Sequence, residues 1–424
     1  MIDVTKLGAR GNGTADDTAA IQKALNQAAQ SGDTVYFPAG VYRVNPAKTL
    51  SVGGRTQIKG SGRASIIRAA DVGFGWELIR VNGSDVSLND IVLDGGRRVN
   101  RVLTLGSGIA RVSVNGLVVQ GASHSTDSKS AYYGGVVSGI IVLGDSEAIN
   151  IVNTEVHDIV AQNLSPAGLV ARGIYLTTTW ASRELAPRRV TISNCYIHHI
   201  GPANDGDGLY YEDPAMEENR AVKLDSVIAD NRFDYCAKRA IKVFARGLVV
   251  RGNTINNPYL NNNYYSGAQR GQQAPDMYSA ISIYGGDSIV EGNRITGSGS
   301  FYAAIEVGAG ATLDHITIQD NTIAMGAKST TKGTTAIRLG SIHDFQIAGN
   351  TIQGGERGVW TWQSAEDGRI ERNVIRVPKG VGIDLTTYLR GHVQRDILCK
   401  DNDIKTAASK IKTSSSTNVN VKLQ

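Results

Sequence analysis

The apolar positions of this chain fall into one recurring phrase, small–apolar–x–apolar. It reads GIYLTT at Gly173, GLYYED at Gly208, AIKVFA at Ala240, AISIYG at Ala280, AIEVGA at Ala304, AIRLGS at Ala336, GVWTWQ at Gly358 and GIDLTT at Gly382. A second phrase, apolar–x–x–Asn–x–apolar, follows each one, with its asparagine at Asn194, Asn231, Asn253, Asn293, Asn321, Asn350, Asn373 and Asn402. Successive repeats lie roughly 22 to 40 residues apart, the period of a solenoid. Both phrases alternate apolar and polar residues with period two, which predicts short strands with one buried face. Strand pairs stacked turn upon turn make a parallel β-helix.

Residues 14–31 break this pattern. Ile21, Ala24, Leu25 and Ala28 form a stripe at helical spacing, Asp16 and Asp17 suit the start, and Gly32 follows as a stop signal. An amphipathic helix here would cover the open end of the stack, whose unpaired edges and bare core are hazards. TVYFPAGVYRV then begins the coil, and Asn89, Asn115 and Asn153 extend the asparagine column upstream. Stacked asparagine amides can hydrogen-bond along a ladder at the strand spacing, so the column reads as structural. The expected organisation is one β-helix over residues 1–406, including the cap, with a Ser-, Thr- and Lys-rich tail over 407–424.

Composition narrows the function classes. Gly is abundant at 49 and Pro scarce at 9, as many short strands with tight turns require. The formal net charge of +5 is spread out, without the clustered Lys and Arg of a nucleic-acid groove. Cys195, Cys236 and Cys399 are too scattered for a disulfide framework or a zinc site and read as small buried residues. No signal peptide and no apolar run long enough to span a bilayer is apparent. An extracellular or phage-associated setting is the expectation.

The x positions of the small–apolar phrase face outward in a strand. In chain order they give Tyr175 and Thr177, Tyr210 and Glu212, Lys242 and Phe244, Ser282 and Tyr284, Glu306, Arg338, Trp360 and Trp362, then Asp384 and Thr386. Aromatic residues aligned with charges predict an exposed binding surface, on which a pyranose stacks while charges take its oxygens. Longer interruptions at residues 123–135, 178–187 and 256–279 would wall this face. The densest acidic run is NDGDGLYYEDP, with Asp205, Asp207, Glu212 and Asp213. Glycosidic hydrolysis needs two carboxyl groups, so Asp207 and Glu212 are the expected pair. Asp205, Tyr175, Tyr210, Arg239, Tyr284, Glu306, Arg338, Trp360, Trp362 and Asp384 are expected to contact the sugar. Lys242 is the expected base of an alternative elimination chemistry. No cofactor is required, although a calcium ion between Asp205 and Asp213 is an alternative reading of the acidic run.

KLGARGNGTADDTAAIQKALNQAAQSGDTVYFPAGVYRV resembles the N-terminal signature of the pectate-lyase-like β-helix superfamily, over about Asp3 to Val44. The resemblance implies an all-β, single-stranded right-handed parallel β-helix. Polygalacturonase-like hydrolases, phage tailspike depolymerases, pectate lyases and mannuronan epimerases share that scaffold. Asp207-Gly208-Leu209 is similar to the Asn-Thr-Asp-Gly-apolar phrase of polygalacturonases, but Lys238-Arg239 stands where their second acidic pair would be, and Ser279 where their histidine would be. Tyr211–Pro214 is similar to the Asp-Pro-His-Glu region of mannuronan epimerases, with Ala215 at the histidine position. The leading expectation is a polysaccharide depolymerase of the glycoside hydrolase type, monomeric or homotrimeric. The alternatives are a lyase or epimerase centred on Lys242, and a non-catalytic carbohydrate-binding or phage-tail attachment protein.

Overall fold

The computed structural model describes all residues except 164–169, 182, 204, 257–276, 298–300, 309 and 327–332, and excludes the side chains of residues 277 and 301. The described residues group into two compact units, one of Met1–Ser226 and one running from Val227. Most of the 256–279 interruption, whose Tyr259, Tyr264, Tyr265, Arg270 and Asp276 are of types suited to bonding and stacking on a sugar, lies outside the described residues. The fold class is a right-handed parallel β-helix.

In the first unit the chain visits three parallel sheets in turn. One coil, for example, runs through Ala110–Asn115 in the first sheet, Val118–Gln120 in the second and Val137–Val142 in the third. Every strand pairs with its equivalent one coil away, as Val112 with Ile149 and Ile149 with Val190. The second unit repeats the scheme: Ile281, Ile305, Ile337, Val359 and Ile383 stand in one inward column of the third sheet. All five are fully buried. The small residue that opens each phrase faces a core wall. A Cβ on Gly358 would lie 2.5 Å from the Gly382 carbonyl oxygen and 2.6 Å from Ile375 Cγ2, so only glycine fits there.

The capping helix spans Thr18–Ser31 and buries Ile21, Ala24, Leu25 and Ala28, as the stripe predicts. It starts four residues later than expected because Asn12–Asp16 is a strand paired with Gly40–Val44. Asp16 accepts the Thr18 amide at 3.0 Å, whereas Asp17 accepts the amides of Arg10 and Gly11 instead. The expected tail also differs: Ile411–Lys412 joins the third sheet, and Asn418–Val419 and Lys422–Leu423 both pair with Gln394–Lys400.

The asparagine ladder is real but shorter than expected. From Asn231 each side-chain amide donates to the next carbonyl oxygen, through Asn253, Asn293, Asn321, Asn350 and Asn373 to Asn402, at 2.9–3.0 Å. Upstream the buried column fails, although Asn115 still stands beside Asn89 and accepts from the exposed Asn153 amide at 2.9 Å. Asn153 and Asn194 occupy the preceding left-handed corner, with φ of 50° and 53°, and leave the buried slot to Thr154 and Cys195. Asn115 pairs with Val152, one place earlier still. Asn tolerates that corner conformation, so one residue type serves two adjacent positions.

Candidate functional site

In the first unit the strands Val170–Leu176 and Asp205–Glu212 lie side by side in the third sheet, with Arg172 opposite Asp207 and Tyr175 opposite Tyr210. The Arg172 guanidinium bonds the Asp207 carboxylate and also reaches Asp205 Oδ2 at 2.5 Å and the Asp205 carbonyl at 2.6 Å. Burial opposes the guanidinium charge, but the carboxylates of Asp207 and Asp205 outweigh it and hold Arg172 above its ordinary value. The same guanidinium lies 4.7 Å from the centre of the Tyr210 ring, which stacks on Tyr175 at 5.4 Å.

Three hydroxyls converge one step along the strand. Tyr175 donates to Glu212 Oε2, Thr177 donates to the same oxygen at 2.8 Å, and Tyr210 donates to Oε1 at 2.9 Å. Burial, reinforced by Glu212, raises both phenols above the ordinary tyrosine value, so they stand as proton-bearing donors at physiological pH. Glu212 itself is only half-buried. An oriented carboxylate with two phenols in hydrogen-bond contact can activate a water or attack a sugar carbon.

In the second unit, Lys242, Ser282, Glu306, Arg338, Trp360 and Asp384 stand in one register column, the one expected from the phrase. Glu306 is fully buried and accepts from Tyr278 at 3.0 Å, Tyr284 at 2.7 Å and Arg338 at 2.7 Å. Arg357 holds Asp384 at 3.0 Å, and Arg239 donates to Ser282 Oγ at 3.1 Å.

Two expectations need correction. The aromatic face is only partly open: Tyr210 is 6 % exposed and Trp360 7 %, while Tyr284 and Trp362 are half-buried. Guanidinium groups cover the rings, Arg357 lying 4.2 Å from Trp360 and Arg338 4.1 Å from Trp362, and the Trp360 indole donates to the Thr386 carbonyl at 2.9 Å. Cation–π packing takes up one face of each of these tryptophan rings. Nor does Asp207 present an open carboxyl group, being 0 % exposed against Arg172. Five residues also separate it from Glu212 along one strand, about 16 Å at the strand rise, beyond either glycosidase spacing. The calcium reading finds no converging oxygens: Asp205 and Asp207 share Arg172, Glu212 takes three hydroxyls, and Asp213 accepts the Ala215 amide. Among the described residues no three acidic, His or Cys side chains gather for a metal.

Arg172, Arg357 and Tyr302 organise these clusters without having been singled out, beside Tyr278 of the 256–279 interruption. The two tyrosines stand two places before the small residue of their phrases. The signal of the two arginines lay one place before it, where Arg172, Asp207, Arg239, Ser279, Ala303, Thr335 and Arg357 follow one another. That position pairs in register as Arg172 with Asp207 and Thr335 with Arg357.

Comparison with known proteins gives the scaffold its relatives. The chain is 36% identical over 111 residues to mannuronan C5-epimerase AlgE2 of Azotobacter vinelandii, covering 22% of this chain and 11% of that protein. It thus spans only about a tenth of the length of that relative. Among solved structures, PfbA, a surface adhesin of Streptococcus pneumoniae, aligns with a TM-score of 0.67 at 15% identity, over 92% of this chain and 93% of the adhesin. The catalytic unit of an α-1,3-glucanase from Streptomyces thermodiastaticus aligns with a TM-score of 0.62 at 16% identity, over 98% of this chain and 70% of the glucanase. At such identities these two show the fold alone. Residues 1–257 match a family description that includes every residue of the Glu212 cluster, and the chain belongs to the rhamnogalacturonase A/epimerase, pectate lyase-like family.

Proposed function

We propose that the protein is a polysaccharide-active enzyme that cleaves glycosidic bonds by hydrolysis at the Glu212 cluster. The observation carrying this reading is the convergence of Tyr175, Thr177 and Tyr210 hydroxyls on one half-buried carboxylate. Glu212 takes a proton from the attacking water, the Tyr175 and Tyr210 phenols hold its carboxylate in place by donating to it, and the leaving oxygen takes its proton from solvent. Arg172, fixed by Asp205 and Asp207, holds the Tyr210 ring in place. Asp207 is then a positioning residue. Family membership supports a polysaccharide substrate, as do relatives named for mannuronan and for an α-1,3-glucan. A surface adhesin of the same fold supports an extracellular setting.

Elimination or epimerisation centred on Lys242 is the second reading, favoured by the match to a mannuronan epimerase. A panel of neutral and uronate polysaccharides, digested and read by mass spectrometry, separates the readings. Hydrolysis adds one water per break and gives saturated ends; elimination adds none and leaves an unsaturated, ultraviolet-absorbing uronate. Glu212→Gln should lower hydrolysis by roughly a hundredfold or more. Full activity in that variant, with Lys242→Ala inactive, would transfer the reaction to the second reading. Epimerisation breaks no bond in the chain and changes no mass, but in heavy water it places one deuteron at each inverted carbon; binding with neither cleavage nor deuterium uptake would leave an attachment protein.

A further inference from the structure

A cleft of about 950 Å³ lies over the second sheet of the first unit, a different sheet from the one that carries Glu212. One column of residues in register runs along it: Arg43, Arg68, Asp94 and Gln120. Connections leading into the third sheet add Phe74 and Arg97 to its wall. The volume is at the upper end for small-ligand clefts, enough for a short oligosaccharide and far more than a lone ion needs.

The charges in this cleft do not cancel, four guanidinium groups lining it against three carboxylates. Arg68 pairs with Asp94 at 2.8 Å and Arg98 with Asp71, while Asp158 contacts the His157 ring at 2.6 Å. Arg43 reaches the Thr14 carbonyl oxygen at 3.3 Å and acts on the Asp16 carboxylate only through space, and Arg97 has no ion-pair partner among the described residues. One guanidinium fork therefore lines the cavity unmatched and a second only distantly matched, an arrangement suited to carboxylate recognition. Phe74 supplies an apolar wall, kept in position by stacking on Tyr132 at 5.4 Å. His124, also in the lining, is buried; its Nε2 contacts the Gly135 carbonyl at 3.0 Å, and its Nδ1 has no partner among the described residues. Burial lowers its proton affinity, so the imidazole is neutral and its free nitrogen suits a sugar hydroxyl.

From these features we infer that the cleft is a second saccharide site, separate from the Glu212 centre, that binds a uronate-bearing chain. Arg43 and Arg97 take the carboxylate, Phe74 the apolar face of the ring, and Gln120 and His124 the hydroxyls. The site holds a charged polymer on a face away from the chemistry, and it stands whether or not Glu212 cleaves anything.

The test is calorimetry of the full chain with trigalacturonate and with its carboxyl-reduced neutral counterpart, joined to amide hydrogen exchange. Trigalacturonate should slow exchange in residues 95–98 and 121–126, and the reduced trisaccharide should not. The double variant Arg43→Gln with Arg97→Asn should weaken this binding by about tenfold or more. Asparagine is chosen because Arg97 has φ 58°, a conformation it tolerates, and an unchanged melting temperature would show that the variant folds. Unaltered affinity in a folded double variant would overturn the inference. So would equal binding of the neutral trisaccharide, displacement by inorganic phosphate alone, or unchanged exchange in those two segments of the wild type. Exchange at residues 205–212 reports the Glu212 centre separately.

Discussion

Asp207 shows how far a single residue's type misleads about its role. Its neighbours on the chain mark it as a catalytic acid, but its burial against Arg172 marks it as half of an ion pair. Removing one partner of a buried pair leaves the other uncompensated, at about 3 kcal/mol or more. Asp207→Asn should therefore lower the unfolding free energy by about 3 kcal/mol, read by denaturant titration. A variant as stable as the wild type would show that Asp205 alone satisfies Arg172. The outward column of the phrase was legible in the sequence, because period two fixes which side chains share a face. Whether Trp360 or Tyr210 is exposed was not. That depends on Arg172, which reaches across from the neighbouring strand to cover Tyr210, and on Arg357, which folds back over Trp360 from three residues earlier on the same strand; periodicity carries no information about reach.

The asparagine ladder makes the clearest prediction among the elements. Asn321 donates to the Val290 and Gln319 carbonyls and accepts from the Asn293 backbone and side chain. Asn321→Ala leaves those buried groups unpartnered, each costing about 1–3 kcal/mol. Denaturant unfolding of this variant should show a loss of at least that size, and a change within error would mean the ladder is ornamental to stability. The repeat of Asn at regular intervals was legible; the shift to the left-handed corner at Asn153 and Asn194 was not, since both slots accept asparagine.

The helix start makes a pH prediction. The side-chain hydroxyl of Thr18 holds Asp16 below the ordinary carboxylate range, against the effect of burial. Burial raises Asp287, and bonds from Arg246 and His315 outweigh it and hold that carboxyl low as well. A carboxyl with a folded value below its unfolded one stabilises the fold above the unfolded value and loses that contribution as pH falls through the folded one. Melting temperature should therefore hold near neutrality and decline once the pH drops below about 4. Asp16→Asn should shallow that decline, and an identical acid profile in the variant would contradict the assignment.

For the whole molecule, the fold was legible almost end to end because a solenoid writes the same short-range pattern in every coil. The centre of chemistry was legible only as a neighbourhood. Glu212 and Tyr210 lie within the acidic run, but Tyr175 comes from the previous coil and meets Glu212 only through the register of two strands 35 residues apart. Which end of the acidic run presents an open carboxylate is decided by Arg172, outside any phrase that was singled out. If Glu212 directs water at a glycosidic bond, digestion of a cleaved polysaccharide in heavy-oxygen water should place one heavy oxygen in every new reducing end. Glu212→Gln should nearly abolish such ends. Products that carry no solvent oxygen and end in an unsaturated ring would assign the reaction to elimination instead.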